Sequence, residues 1–506
     1  MGKLLPSWRK ALVDEMVTNI QSNTSHYYAF AGLSYNQETA NNDYINFFNT
    51  EWNILFGKKL SNTNVVPVIQ NNLWTSNTVY DRYDNTSNTL HSNTNFYVIS
   101  PPNIVGGEYN VFKCIDNANG AASTVRPFAI QQSTFKTSDG YKWRYISSIS
   151  YKNYLTLSTP DYTPIYVNNS IVASAQTYSG VEVVMISNAG IGYSTYHEGT
   201  IRSISNTTLL QIDSTASADN DFYTKSGIYI YNTSQENSQI FGISQYVSNT
   251  SGKWVFLDSA ANTTNITTNV TQYKISPRVV FETDGTIIPT AYSVVNTSSN
   301  TISSVIVLDI GSNITWANAS IQCNTSYGTG ANVYAIVPPP GGHGQNPVQE
   351  LDVKGVSFNF IFANTESNTI VTSGVDYDMI GILKNPYYSN TTTFAKNGRY
   401  SANTFSQILE ANVSLQFSIG EEVTGATSNA LGKVVFSNTT MVYLIGDKHF
   451  ANGENLIAAN GSTTTLNIIS RPDVYSKDLL PIYIQNINSI ERLDTQSESY
   501  SLIIQF

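Results

Sequence analysis

The stretch from Tyr109 to Ile149 constrains the fold more than any other part of this sequence. It contains two strand-like runs, YNVFKCI and YKWRYISSI, on either side of a loop rich in Asn, Gly, Ser, Thr and Pro. Runs of this composition that are bounded by turn residues are typical of paired β-strands. The stretch therefore predicts two strands of one sheet. Its loop, Asn117–Ser138, is a candidate contact surface.

The second run has a regular pattern of aromatic and basic residues. Tyr141, Trp143 and Tyr145 alternate with lysine and arginine, which is the period-2 pattern of a half-buried strand. The dipeptide Asp139-Gly140 precedes the run and is typical of a tight turn. We expect the aromatic side chains to pack in a core and the basic side chains to face solvent.

Composition excludes some classes of function. The chain has 506 residues, of which 41% are hydrophobic and only 12% are charged, and its net charge is -10. A general nucleic-acid binder needs a basic patch to displace the counterions of phosphate, and no run of Lys or Arg is present. Amides and hydroxyls replace the missing charges, which is common in proteins that form large permanent assemblies or that face the outside. We expect no nucleic-acid partner.

The cysteines and the apolar segments indicate the compartment. Cys114 and Cys323 are far apart, so we expect two free thiols rather than a disulfide framework. The start, MGKLLPSWRK, lacks the apolar core of a signal peptide, and no window approaches the ~18 apolar residues of a membrane span. The sequence predicts folding in a reducing cytoplasm and no membrane partner.

The order of patterns along the chain predicts a mainly β protein. We expect a β-sandwich core with a few short helices near the N-terminus, at residues 7–22 and 43–56, and inserted small β-modules. The predicted segments are 1–177 (N-terminal part of the core), 178–337 (inserted repeat-bearing modules), 338–404 (core continuation), 405–470 (inserted small module) and 471–506 (C-terminal core strands).

Two internal echoes and one break support these boundaries. Val181–Arg202 aligns with Ser304–Gln322, and GEEV at 420–423 resembles GENL at 453–456. Repeats of this kind predict duplicated β-modules. The run PPPGGHGQNP at 338–347 is the sharpest break in the sequence.

No pattern in the sequence indicates catalysis. The histidines are scattered without metal-ligand spacing, and His343 lies in a glycine turn, where we expect a turn or interface role. Asp81 and Asp84 resemble half of a calcium loop, but the rest of that loop is missing, which favours a solvated turn. The carboxylate pairs at 421–422 and 376/378 leave a glycosidase open as an alternative. We expect no enzyme activity, no metal and no cofactor.

The aromatic excess has two interpretations. With 33 Tyr, 21 Phe and 6 Trp, the chain could present a carbohydrate-binding surface or use aromatic residues in its core and in protein interfaces. The aromatic residues are spread along the predicted strands rather than concentrated in one set of loops. This distribution favours core and interface.

Several segments resemble one known family when they are taken in chain order. They are LWTSNTVYDRYD (73–84), YNVFKCIDNANGAASTVRP (109–127), TSDGYKWRYISSI (137–149), PPPGGHGQNPVQEL (338–351), DMIGILKNP (378–386) and YIQNINSIERLDTQSESYSLIIQF (483–506). Together they resemble the gene eight product family of baseplate wedge proteins from T4-like contractile-tailed bacteriophages, in its marine phage version. The last segment departs from the family because Asn488-Ser489-Ile490 stands near the place of an Arg-Pro-Pro.

The resemblance implies a structural subunit of the phage tail baseplate wedge. Such a subunit forms a homodimer within the wedge, binds other wedge proteins and takes part in the rearrangement that accompanies tail contraction. The resemblance also implies location in the virion after assembly in the host cytoplasm. A tail-associated carbohydrate-binding or depolymerase protein remains the alternative. The candidate core or interface residues are Trp74, Tyr80, Asp81, Tyr83, Asp84, Cys114, Asp139, Gly140, Tyr141, Trp143, Tyr145, His343, Asn385, Pro386, Asp494 and Phe506.

Overall fold

The fold is mainly β, as the sequence predicts, with 47% of residues in strands and 11% in helices. The structure is a computed structural model. It describes residues 6–22, 25–34, 54–87, 90, 95–234, 237–363, 376–387, 393–395, 407–411, 417–437, 441–446, 450–470, 480–493 and 495–506.

The described helices are short apart from the first. They are α1 (Pro6–Gln21), α2 (Tyr151–Leu157), α3 (Asn169–Ser174) and α4 (Pro347–Glu350). The first confirms the helix predicted at 7–22. The second predicted helix, at 43–56, lies outside the described residues as far as residue 53, and its last three residues begin a strand instead. Among the described helices, none has the length and apolar character needed to cross a bilayer.

Most of the regular structure consists of strands. In chain order they are β1 (Tyr27–Gly32), β2 (Ile54–Lys59), β3 (Val65–Gln70), β4 (Tyr97–Ser100), β5 (Tyr109–Asp116), β6 (Phe135–Lys136), β7 (Lys142–Ile149), β8 (Tyr162–Pro164), β9 (Val183–Ile191), β10 (His197–Thr200), β11 (Ser203–Asn206), β12 (Leu209–Ile212), β13 (Gly227–Tyr231), β14 (Gln239–Asn249), β15 (Gly252–Leu257), β16 (Gln272–Ser276), β17 (Arg278–Thr283), β18 (Thr290–Asn296), β19 (Thr301–Asp309), β20 (Ala317–Gln322), β21 (Thr329–Ile336), β22 (Gly355–Ala363), β23 (Asp376–Lys384), β24 (Gln407–Ala411), β25 (Glu422–Gly425), β26 (Leu431–Ser437), β27 (Met441–Gly446), β28 (Asn455–Ala458), β29 (Thr463–Ser470), β30 (Leu480–Glu491) and β31 (Ser497–Gln505).

The chain forms two compact units. One consists of Met1–Ile69 together with Val353–Phe506, and the other of Gln70–Asp352. The predicted core stretch 109–149 and the predicted inserted segment 178–337 both fall within the second unit. The segment boundaries drawn from the sequence remain predictions.

The described residues of the first unit form two open sheets and a barrel. One sheet has the order β2-β1-β23-β30, and β22 pairs with β3 on one side and β31 on the other. The apolar C-terminal strand is therefore tied into a sheet, and the backbone N–H of Phe506, next to its end, donates to the carbonyl of Lys354 at 3.2 Å. Strands β24 to β29 close into a barrel in the order β24-β27-β26-β25-β28-β29.

The GEEV and GENL segments occupy equivalent positions in this barrel. They lead into β25 and β28, which pair directly. In each preceding turn a glycine has a positive φ, 87° at Gly420 and 78° at Gly453. The next glutamate accepts a hydrogen bond from the backbone N–H three residues before it: Ser418 N to Glu421 Oε2 is 3.0 Å, and Ala451 N to Glu454 Oε1 is 2.5 Å. The echo in the sequence therefore corresponds to a repeated turn.

The other internal repeat, which aligns Val181–Arg202 with Ser304–Gln322, does not correspond to a repeated structure. In Val181–Arg202, β9 pairs with β21 and β10 with β16. In Ser304–Gln322, β19 pairs with β18 and β20 with β17. Because the two segments have different strand neighbours, their alignment reflects the common composition of short Val- and Ile-rich strands and not a repeated arrangement.

The described residues of the second unit form four sheets. Their orders are β10-β16-β13-β14-β15-β12-β11, β19-β18-β17-β20, β21-β9 and β4-β5-β7-β6. The seven-stranded sheet surrounds an apolar core that includes Ile228, Tyr246 and Tyr273. The sheet β4-β5-β7-β6 contains both predicted strands of the 109–149 stretch and carries the groups described next.

Candidate functional site: a sheet with an aromatic face and an ionic face

The sheet β4-β5-β7-β6 has two chemically different faces. Its central strands pair so that Cys114 lies opposite Trp143 and Lys113 lies opposite Arg144. Because neighbouring residues of a strand point to opposite faces, Cys114 and Trp143 share one face and the two basic residues share the other. All four side chains are buried, so both faces of this sheet are covered.

The first face packs into an aromatic cluster. The rings of Tyr141 and Trp143 stack with their centroids 5.4 Å apart, and Tyr80 meets Trp143 edge-on at 5.8 Å. The indole N–H of Trp74, at the edge of the cluster, donates to Ser123 Oγ at 3.2 Å. The structure thus brings together six of the candidate residues: Trp74, Tyr80, Cys114, Tyr141, Trp143 and Tyr145.

The Asp139-Gly140 turn organises the loop that leads to this face. The Asp139 carboxylate accepts hydrogen bonds from the backbone N–H groups of Thr124 and Val125, at 2.8 and 2.9 Å, and from Ser123 Oγ at 3.1 Å. Partial burial raises the pKa of Asp139, but these bonds and one from Thr137 outweigh it and lower the pKa overall. Gly140 has a φ of +93°, a conformation that favours glycine.

The second face contains a buried ionic cluster, which the sequence did not predict. Lys113 Nζ lies 2.6 Å from Glu350 Oε1. His343 Nδ1 lies 3.0 Å from the same carboxylate oxygen and 3.1 Å from Lys113 Nζ. The other oxygen, Glu350 Oε2, accepts the backbone N–H of Gly344 at 2.6 Å. The ammonium group also lies 3.4 Å from the centroid of the Tyr83 ring, a cation–π contact.

Burial determines the protonation of the cluster. It lowers the pKa of His343 to about 4, an effect that Lys113 reinforces and Glu350 opposes, so the imidazole is neutral at neutral pH. Burial raises the pKa of Glu350, but Lys113 and His343 outweigh it and lower the pKa to about 2. Burial also lowers the pKa of Lys113, against the attraction of Glu350.

The proline-glycine break positions His343 and Glu350. Gly342 and Gly344 have φ values of +92° and +86°, and a Cβ at Gly342 would lie 2.3 Å from the carbonyl oxygen of Ala175. The backbone N–H of His343 donates to Ser179 Oγ at 2.8 Å. Asn346 then caps α4, which ends at Glu350. The GGHG run is therefore a closely packed turn that aims an imidazole and a carboxylate at the sheet.

Arg144 corrects the prediction that the basic residues of the second run face solvent. Its side chain is 0% exposed, and Nη1 donates to the carbonyl of Tyr178 at 2.8 Å. The carboxylate of Glu182 is buried on the same side, and burial raises its pKa although Arg144 and Lys142 oppose the change. The period-2 pattern is present, but other parts of the chain cover the face of the sheet that was expected to be exposed to solvent.

A surface of exposed apolar loops adjoins the sheet. Residues 101–107 and 126–130, called here the loop surface, are joined by hydrogen bonds from the Arg126 guanidinium to the Asn103 side chain and from Ser100 Oγ to the Pro127 carbonyl. Four large apolar side chains on these loops are mostly exposed: Ile104 (74%), Val105 (91%), Phe128 (62%) and Ile130 (63%). Part of the predicted contact loop, Asn117–Ser138, belongs to this surface.

The remaining candidates of the second unit, Asp81 and Asp84, lie in connecting segments that are fixed by hydrogen bonds. Asp84 Oδ1 accepts the N–H of Thr86 at 2.8 Å, and Asp84 Oδ2 accepts the hydroxyl of Tyr334 at 3.3 Å. The backbone N–H of Asp81 donates to the carbonyl of Asn95 at 3.1 Å. Tyr83, by contrast, joins the ionic cluster, where its ring meets that of His343 at 5.2 Å.

In the first unit, the Asn385-Pro386 pair ends β23. Asn385 Oδ1 accepts the backbone N–H of His26 at 2.7 Å, and Pro386 is buried. Phe506 is half-buried next to β31. Asp494 lies outside the described residues.

Two of the four carboxylates that left a glycosidase open accept hydrogen bonds from other parts of the fold. Glu421 accepts the N–H of Ser418, and Asp378 accepts the Ser34 hydroxyl at 2.6 Å. Within the described part of the chain, no group of three or more His, Cys, Asp or Glu side chains could hold a metal ion. Cys114 and Cys323 are both free and buried, which confirms the predicted thiols.

Comparison with known proteins adds no assignment. No protein-family model matches the sequence, and no curated protein matches it.

Proposed function

We propose that this chain is a structural subunit of a phage tail baseplate wedge, which binds other wedge proteins and a second copy of itself and rearranges with them when the tail contracts. The loop surface is the observation that carries the proposal. Its four exposed apolar side chains lie next to polar groups such as Gln131 and Asn103, and an apolar centre with a polar rim is the usual arrangement of a protein interface.

The rigid base of these loops supports the same proposal. The Asp139 carboxylate fixes residues 123–125, and the aromatic cluster lies beneath the loop. Loops whose conformation is fixed before binding lose less conformational entropy on association than flexible loops do. Such loops suit a permanent assembly.

The resemblance to the wedge family gains support from the packing. Three of the segments that carry it, 73–84, 109–127 and 137–149, meet in the aromatic cluster. A fourth, 338–351, meets the first through His343 and Tyr83. Residues that are far apart in sequence and meet in one core form a structural unit, and chance similarities between short runs would not be expected to converge in this way.

Co-expression with candidate baseplate wedge proteins tests the proposal. We expect Val105→Asp to prevent the chain from entering a wedge subcomplex in size-exclusion chromatography, because burying an unpaired carboxylate in an interface is costly. Val270→Asp is the matched control, since Val270 is also an exposed loop valine of the same unit. Failure of the unaltered chain to form any subcomplex, or equal assembly of both variants, would contradict the proposal.

A second assay separates the alternative function. Incubation of the purified chain with host polysaccharide is expected to leave the polymer intact. Cleavage would instead favour a tail-associated depolymerase.

A further inference from the structure

The Lys113–Glu350 pair has the geometry of two groups positioned to react with each other. An amine nitrogen and a carboxylate oxygen lie 2.6 Å apart, although the residues are 237 positions apart in sequence. Lys113 is 0% exposed and Glu350 is 7% exposed. The Tyr83 ring covers the ammonium group. Such a site excludes the water that would otherwise compete for the carboxyl carbon.

We propose that Lys113 and Glu350 join in an intramolecular isopeptide bond, which this site forms without a cofactor. The Nζ of Lys113 attacks the Cδ of Glu350, a C–N bond forms, and the bond from Cδ to Oε1 breaks. Two protons of the ammonium group end on the departing oxygen, which leaves as water, and one stays on the amide nitrogen. The positive and negative charges disappear together, and no atom is oxidised or reduced.

His343 is placed to move both protons. Its Nδ1 lies within hydrogen-bond distance of the attacking nitrogen, at 3.1 Å, and of the departing oxygen, at 3.0 Å. One nitrogen can therefore take a proton from Lys113 and deliver it to Glu350 Oε1, as a general base and then a general acid. The lowered pKa of His343, about 4, keeps the imidazole neutral and able to accept that proton.

The backbone of Gly344 supplies the remaining catalytic element. Its N–H donates to Glu350 Oε2 at 2.6 Å, the oxygen that stays on carbon and gains negative charge when the amine attacks. A fixed donor at that oxygen stabilises the tetrahedral intermediate in the manner of an oxyanion hole. The glycine turn thus provides both the proton carrier and the oxyanion donor.

Burial favours the product. The pKa of Glu350 is low because of Lys113 and His343, so the resting pair is ionised and attack follows proton transfer through His343. Two buried charges carry a desolvation cost that their attraction repays only in part, and condensation removes both charges. The bond would fasten the proline-glycine segment to β5 covalently. This inference does not depend on the proposed function.

Intact-protein mass spectrometry of the purified chain tests the inference. We expect a mass below that of the sequence by one water molecule, and fragmentation should find a branched peptide that joins Lys113 to Glu350. Locating the change matters because Asp139-Gly140 can also lose water, by forming a succinimide. The mass of the unmodified sequence, both after purification and after prolonged incubation, would overturn the inference. Water loss located at any other residue would overturn it equally.

Variants of two neighbouring lysines sharpen the test. Lys113→Met should have the mass of its own sequence, whereas Lys142→Met should still lose one water, because Lys142 Nζ contacts the carbonyl of Glu182 and not Glu350. His343→Gln should leave a larger uncross-linked fraction at early times. The result on the unaltered chain decides the inference even if a variant does not fold, and neither outcome bears on wedge assembly.

Discussion

The two faces of the sheet β4-β5-β7-β6 are both buried, but different interactions stabilise them. On one face, Trp143 and Tyr141 stack in an aromatic cluster whose stability comes from apolar area and ring packing. On the other face, Lys113 and Arg144 are equally buried but lie among carboxylates, an imidazole and backbone carbonyls. The aromatic face depends on volume, whereas the ionic face depends on every charge keeping its partner.

This difference shows what alternation in a strand can establish. A period-2 pattern reports that two faces differ in polarity, but it does not report that the polar face meets water. Here the segment that contains the GGHG turn and α4 covers the polar face and supplies Glu350 and His343. A lysine or arginine in an otherwise apolar strand can therefore be the inner half of a buried pair.

Removal of the largest ring should have the largest effect. Trp143→Ala is expected to destabilise the Gln70–Asp352 unit by about 3–5 kcal/mol, because the protein cannot fully close a cavity of that size. Thermal unfolding followed by calorimetry measures the change, with the exposed Phe128→Ala as the matched control. An unchanged melting temperature in Trp143→Ala would show that the aromatic face does not carry the stability assigned to it.

Breaking the ionic face should cost slightly less. Lys113→Met leaves the Glu350 carboxylate buried without its cation, and we expect about 3 kcal/mol of destabilisation relative to the ionised pair that is not cross-linked. The value lies at the lower end of the usual range because the backbone N–H of Gly344 still donates to Glu350. The double variant Lys113→Met/Glu350→Leu should be more stable than Lys113→Met alone. Equal or lower stability of the double variant in urea unfolding would contradict a charge-pairing role.

The pH dependence of stability should come from the ionic face. Because the pKa of His343 is about 4 in the folded state and near 6.5 when unfolded, the unfolded state binds more protons between these values. Stability is therefore lost as the pH falls, by about 2 kcal/mol between pH 6.5 and pH 5. His343→Gln should reduce the dependence of the melting temperature on pH in this range, whereas the aromatic-face variant Trp143→Ala should leave that dependence unchanged. If His343→Gln left the pH dependence of the melting temperature unchanged, His343 would not be the cause of the stability lost at low pH.

The loop anchor should have the smallest effect. Asp139→Ala removes the acceptor for Thr124, Val125 and Ser123, and we expect about 1–2 kcal/mol of destabilisation because the carboxylate is only half-buried. Hydrogen exchange should accelerate at the amides of Thr124 and Val125 before it does in β7. Unchanged exchange at those two amides would mean that another contact holds the loop.

Part of this architecture follows from the sequence. Local sequence patterns predict the mainly β class, the first helix, the free thiols and the strands of the 109–149 stretch. So are the buried aromatic residues Tyr141, Trp143 and Tyr145, because ring residues at alternate positions of a strand need a core.

The ionic cluster could not be predicted in the same way. Lys113 and Glu350 are distant in sequence, and nothing local to either residue indicates its partner. The available signals were a lysine within the apolar run YNVFKCI and a histidine within the glycine run GGHG. The first was left without a role, and the second was interpreted as a turn. The turn is present, but the side chain of His343 points into the protein interior and not towards solvent.

An electron cryo-microscopy map of intact phage tails that contain this chain tests the central claim most directly. We predict density for the chain within the baseplate wedge, with Val105 and Phe128 of the loop surface buried against a neighbouring protein. A tail whose baseplate lacks the chain, or a wedge in which the loop surface faces solvent on every copy, would contradict the account.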